Sequence, residues 1–143
     1  MNHQTELIGI IQIFESLSQE NLDEIRNYYA SHAYFKDPFN EVHGHDAIIA
    51  IFRHMFMRVY EPKFVVTNSA LQNDDAFIVW NFSFRPKDSV SLELHIHGSS
   101  HLRFGENHKI YYHRDYWDTA EELYEKVAIL GSLMRFLKRK AQR

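Results

Sequence analysis

The chain has 143 residues, a formal net charge of −3 and no cysteine. Its length suits one domain with a single core, its mild acidity argues against nucleic acid as a partner, and the lack of thiols excludes disulfides, cysteine nucleophiles and cysteine-ligated zinc. Aromatic residues make up 15% of the chain, enough rings to line a cavity as well as to fill a core.

Taken in chain order, Leu7, Ile10, Ile11, Phe14 and Leu17 recur at helical spacing and predict a first amphipathic helix at about 4–17. The apolar run Leu7 to Phe14 is interrupted by Gln12 and flanked by Glu6 and Glu15, which is the stripe of a helix and not a signal peptide or membrane span. A cytoplasmic address is the resulting expectation. Leu22, Ile25, Tyr28 and Tyr29 predict a second helix, with Ser18 as its N-cap. A short strand follows at Ala33–Lys36. Asp37 then stands before Pro38 and among Tyr34, Phe35 and Phe39, either as the opener of an exposed turn or as a buried acid held for proton transfer. A third helix is expected from His45 to Tyr60, with Ile48, Ile49, Phe52, Met55, Phe56 and Val59 on its apolar side and Glu61-Pro62 as its stop.

The period then changes from 3.6 to 2. "KFVVTNSAL" is a strand, turned by "NDD" into "AFIVWNFSFR", which places Ala76, Ile78, Trp80, Phe82 and Phe84 on one face. "LELHIHGSSHLRF" sets Leu92, Leu94, Ile96, Gly98, Ser100, Leu102 and Phe104 against Glu93, His95, His97, Ser99, His101 and Arg103. "KIYYHRDYW" is the last strand, with Tyr111, His113, Asp115 and Trp117 on one side and Ile110, Tyr112, Arg114 and Tyr116 on the other. A basic amphipathic helix at about 119–141 closes the chain. Helices followed by meandering strands give an α+β class, a single domain over 1–143, with helices covering one face of a curved antiparallel sheet and a cavity between the layers.

This element order, with "YFKDPFNEVHG", "SSHLRFGENHKI" and "HRDYWD", resembles the nuclear transport factor-like superfamily, in its SnoaL-like and ketosteroid-isomerase-like branch, over roughly Leu7 to Trp117. The resemblance implies a cone: a cystatin-like sheet curled around N-terminal helices, with a pocket at the wide end. It places Asp37 on the general-base aspartate of the isomerases. The tyrosine and protonated aspartate that hold their oxyanion fall on Phe14 and Ser100, neither of which can serve as that strong donor. A true ketosteroid isomerase is therefore not expected. His113 and Asp115 are the expected acid-base pair beside Asp37, and Phe14, Tyr28, Phe52, Trp80, Phe82, Phe84, Ser100 and Trp117 the pocket walls. The implied function is binding of a small apolar or aromatic molecule, with proton transfer of isomerase, cyclase or dehydratase type and no cofactor. The rival is a non-catalytic ligand-binding or protein-interaction module of the same fold.

No metal site is expected. His95, His97 and His101 share a strand face, but positions 97 and 101 stand about 13 Å apart at ~3.3 Å per residue, too far for one ion. Phosphate loops, nucleophile elbows and His-Glu-x-x-His are absent from the sequence. The mixed outer face of the sheet predicts a homodimer. "RFLKRKAQR" carries five basic residues and is expected to complement the helix dipole while the helix packs on the domain; contact with an anionic membrane is the alternative, not favoured.

Overall fold

The computed structural model describes residues 2–118 and 139. Helix α1 spans Gln4–Ser16 and buries Leu7, Ile10 and Phe14, the i, i+3, i+7 stripe that the sequence dictates. Leu22–Asn27 is a 3₁₀ helix that buries Leu22 and Ile25, three residues apart and therefore on one side of such a helix. The expected second α-helix running to Tyr29 is not there. Its only buried apolar pair fills a single turn, and the aromatic segment after it favours extended backbone. Ser18 is not its N-cap; its backbone N–H donates to Asn21 Oδ1 at 2.8 Å.

Tyr29 opens strand β1, Tyr29–Lys36, which turns through Pro38 into β2, Glu41–His43. Helix α2 covers His45–Met57, with Ile48, Ile49, Ile51 and Phe56 buried. It stops three residues before the expected Tyr60, because Val59 already pairs with Pro86 in strand β3, Val59–Gln72. Strands β4 (Asp75–Pro86), β5 (Leu94–Phe104) and β6 (Ile110–Trp117) complete the domain. The sheet has six strands in the order β2-β1-β6-β5-β4-β3. All neighbours are antiparallel except β1 and β6, which run parallel. Helix α2 touches β1 and β2 near one edge and β3 at the other, which requires the sheet to curl around it.

Period-2 alternation holds through β4, where Ala76, Ile78, Trp80, Phe82 and Phe84 are all buried, and through β5. In β6 it breaks. Arg103 pairs with Tyr112 but Phe104 pairs with Ile110, so Tyr111 is the extra residue of a bulge. The bulge turns Ile110 into the core, fully buried, against the expectation that it faces outward with Tyr112. Tyr111 instead sits beside Gly105 and the Arg103 guanidinium and leaves the inner face. Beyond the bulge the expected register returns, with His113 buried and Asp115 and Trp117 partly so. Among the described residues no helix is long and apolar enough to cross a membrane. The C-terminal helix expected at about 119–141 lies outside the described residues, Arg139 excepted.

Candidate functional site: an apolar cavity with two carboxylates

A cavity of about 130 Å³ lies between the helices and the inner face of the sheet. Phe14 of α1, Phe52 and Met55 of α2, and Trp80, Phe82 and Phe84 of β4 supply apolar walls, joined by Phe35, Phe39, Phe64 and Trp117. The polar side chains on the wall are Asp37, Ser100, His113 and Asp115. Of the residues expected from the sequence, Tyr28 alone does not line it. Its ring packs on Gly9, where an added Cβ would stand 2.9 Å from Cε1, and this holds Tyr28 against α1.

Asp37 both closes a turn and stands on the cavity wall, the two placements that the sequence set against each other. Its Oδ1 accepts hydrogen bonds from the backbone N–H groups of Phe39 at 2.8 Å and Asn40 at 2.6 Å, and so closes the turn around Pro38. Asn40 Nδ2 donates to Oδ1 and Oδ2, each at 3.1 Å. The same carboxyl stands on the cavity wall. Burial raises its pKa above the ordinary aspartate value; the Asn40 and Phe39 donors oppose that rise, and the charge of Asp115 adds to it.

The second carboxylate belongs to a chain of hydrogen bonds crossing four adjacent strands. Ser100 and Asp115 are directly opposite in the β5–β6 register, and Ser100 Oγ–H donates to Asp115 Oδ1 at 2.5 Å. Trp80 pairs with Gly98, whose missing side chain leaves room for the indole: an added Cβ would lie 2.6 Å from Trp80 Cη2. From there the indole N–H donates to Ser100 Oγ at 2.9 Å. On β6, His113 lies two residues before Asp115 and on the same face, and its Nε2 meets Asp115 Oδ1 at 2.6 Å. His113 Nδ1 meets Tyr29 Oη at 2.6 Å across the β1–β6 pairing. Burial, and then the charge of Asp115, hold the Tyr29 phenol well above its ordinary pKa, so it keeps its proton and donates. One tautomer then satisfies every group: Tyr29 O–H to His113 Nδ1, and His113 Nε2–H to Asp115. Phe14 and Phe35 pack against the imidazole at 5.8 and 4.8 Å between ring centroids.

Tyr29 is the residue that sequence reasoning missed. The expected helix assigned it to a core stripe, and period 2 alone does not recover it, because Ser31 between Tyr29 and Ala33 is exposed and the β1–β6 register shifts there. His113, expected to form an acid-base pair with Asp115 either as a proton donor or as the partner of that carboxylate, has both ring nitrogens committed to protein partners, Tyr29 and Asp115. It holds Asp115 and offers no nitrogen to a ligand.

The family model of the SnoaL-like domain matches residues 10–113. The chain belongs to the SnoaL-like domain family. A comparison with curated proteins finds no match. Among solved structures, it is similar to an NTF2-like protein of unknown function from Burkholderia pseudomallei, with a TM-score of 0.72 and 17% identity over 87% of this chain and 96% of that one. A protein of ketosteroid isomerase-like fold from Catenulispora acidiphila, solved in complex with trimethylamine, aligns with a TM-score of 0.72 at 12% identity, covering 85% of this chain and 92% of that one. An LEH-like epoxide hydrolase from M. tuberculosis aligns with a TM-score of 0.68 at 12% identity, covering 92% and 93%. At these identities the likeness is one of fold, and the SnoaL-like fold carries the cavity described above.

Proposed function

We propose that this SnoaL-like domain binds a small apolar molecule of about one ring and moves a proton on it without a cofactor, with Asp37 as the base. The observation that carries this reading is the placement of a burial-raised carboxyl on the wall of a mostly apolar cavity, beside a second carboxylate. A carboxyl made more basic by its surroundings is better matched to abstracting a proton near neutral pH. Cavity size sets the ligand class. An engineered apolar cavity of about 150 Å³ holds benzene, so a cavity of about 130 Å³ takes one ring and not the four of a steroid.

Asp115 is the second group to touch the ligand. Its Oδ1 is held by Ser100 and His113, and Tyr29 fixes His113 in turn, so these three are positioning residues. The chemistry most compatible with this set is removal of a proton next to a carbonyl by Asp37. The donors on Trp80, Ser100 and His113 all point at protein acceptors, which leaves none of the three to hold a developing oxyanion. Modest rates and activated substrates follow from that.

The test is solvent deuterium exchange at the α-carbon of cyclohexanone, followed by NMR with the intact protein and with Asp37→Asn. Exchange above background that disappears in the variant is expected. Equal exchange in both proteins removes Asp37 as the base, and binding without exchange in either makes the domain a ligand-binding module.

A further inference from the structure

At the opposite end of β6 from the cavity, the start of α1 and the β5–β6 turn, far apart in sequence, bring His3, Glu6 and His108 together. One donor atom from each lies within 4.8 Å of the others. His3 is 1% exposed and stacks on Phe104 at 4.7 Å between ring centroids. Its Nδ1 lies 2.8 Å from Nδ1 of His108, and Glu6 Oε2 lies 3.6 Å from that same His108 nitrogen.

Three further observations point to a ligand. Glu6 Oε2 is buried and has no hydrogen-bond partner among the described residues, although it faces two imidazoles. His3 Nε2 meets Asp74 Oδ1 at 2.7 Å. A carboxylate on the far nitrogen fixes the tautomer with Nδ1 as a lone pair, which is the usual outer-shell arrangement of metal-bound histidine. Finally, Asn107 and His108 both have a φ of 58°, in the left-handed region that side chains rarely occupy. That strained turn aims His108 back at the start of α1.

We propose that His3, Glu6 and His108 form a binding site for a divalent transition-metal ion of the zinc type. Two imidazoles and one carboxylate are a borderline donor set that suits Zn²⁺ and neighbouring ions over Mg²⁺ or Ca²⁺, which prefer all-oxygen shells. With ligand bonds of about 2.0–2.2 Å, tetrahedral donors stand roughly 3.3 Å apart, so the two histidine nitrogens part by a few tenths of an ångström and Glu6 closes in. The proton between the two Nδ1 atoms moves to His108 Nε2 on binding. Water completes the shell. The ion ties the start of α1 to the β5–β6 turn through His108, and through Asp74 to the β3–β4 turn, which makes its role structural.

Chelator-treated full-length protein titrated with ZnCl2 by calorimetry, and with Co²⁺ by visible absorption, tests the site. Expected are one ion per chain, a Kd tighter than about 10 μM, and a Tm raised by several degrees at about a hundredfold excess over Kd. Glu6→Gln, which keeps the shape of the side chain, weakens Zn²⁺ at least about tenfold; His108→Gln abolishes the stoichiometric ion; His95→Ala/His97→Ala, on the outer sheet face, leaves it intact. The absence of stoichiometric binding, or binding that survives in both His108→Gln and Glu6→Gln, overturns the proposal and leaves the cluster as a hydrogen-bonded staple.

Discussion

Replacing Tyr29 with phenylalanine deletes one oxygen from the hydrogen-bond chain behind Asp115 and little else. Tyr29 is 1% exposed and His113 3%, and the oxygen lies 2.6 Å from His113 Nδ1. Removing it leaves a buried imidazole nitrogen without its donor, and phenylalanine fills the same space except for that atom. Leaving such a group unsatisfied costs about 1–3 kcal/mol. With roughly 4 °C of Tm per kcal/mol at this chain length, the loss is about 4–12 °C. Tyr28→Phe is the control, because Tyr28 is half-buried against Gly9 and outside the hydrogen-bond chain; its change stays within about 0.5 kcal/mol. Thermal unfolding followed by circular dichroism at neutral pH reads both. A Tyr29→Phe variant as stable as the parent would mean that His113 is not held from behind, and the account of Asp115 as an anchored carboxylate would fail.

Asp37→Asn has a pH signature. Burial raises the folded carboxyl above its unfolded value, so its contribution to stability is present below the unfolded pKa and lost as pH rises through the folded one; the amide escapes that loss, and the variant gains on the parent between acid and neutral pH. A Tm difference that stays flat from pH 4 to 8 contradicts the buried-base reading. Ketosteroid isomerisation is expected to be negligible, since loss of one positioned oxyanion donor costs on the order of 10²–10³ in rate and the donors on Trp80, Ser100 and His113 are turned to protein acceptors; turnover of a β,γ-unsaturated ketosteroid by pure protein refutes this. Phe77 and Tyr116 are 43% and 47% exposed on the outer sheet face, and we propose a homodimer through it, to be read by light scattering at micromolar concentration; a monomer there removes it.

The parts of this fold that were legible in the sequence are those set by local periodicity. The stripe of α1 and the alternation of β4 and β5 follow from residues two to four apart, and they place Phe14, Trp80, Phe82, Phe84, Ile96 and Ser100 on the cavity wall. What escaped depends on distant partners. Tyr28 and Tyr29 fit a helical stripe as well as a strand entrance, and only parallel pairing with β6, Tyr29 against Ile110, settles the matter. The bulge at Tyr111 inverts Ile110 with no glycine or proline to announce it. Asp37 was framed as turn opener or buried acid because sequence cannot show that one carboxyl oxygen closes the turn while the group as a whole faces a cavity. His3, Glu6 and His108 meet only because a hairpin turn and a helix start share one end of the sheet.

The most direct measurement is a methyl NMR titration of the intact protein with 2-cyclohexenone. Saturable shifts at Ile51, Met55 and Ile96, which line the cavity, and none at Ile8, which is 48% exposed on α1, are the predicted result. Shifts that do not saturate, or that appear at Ile8 and not at the three cavity methyls, would contradict a ligand site inside the domain.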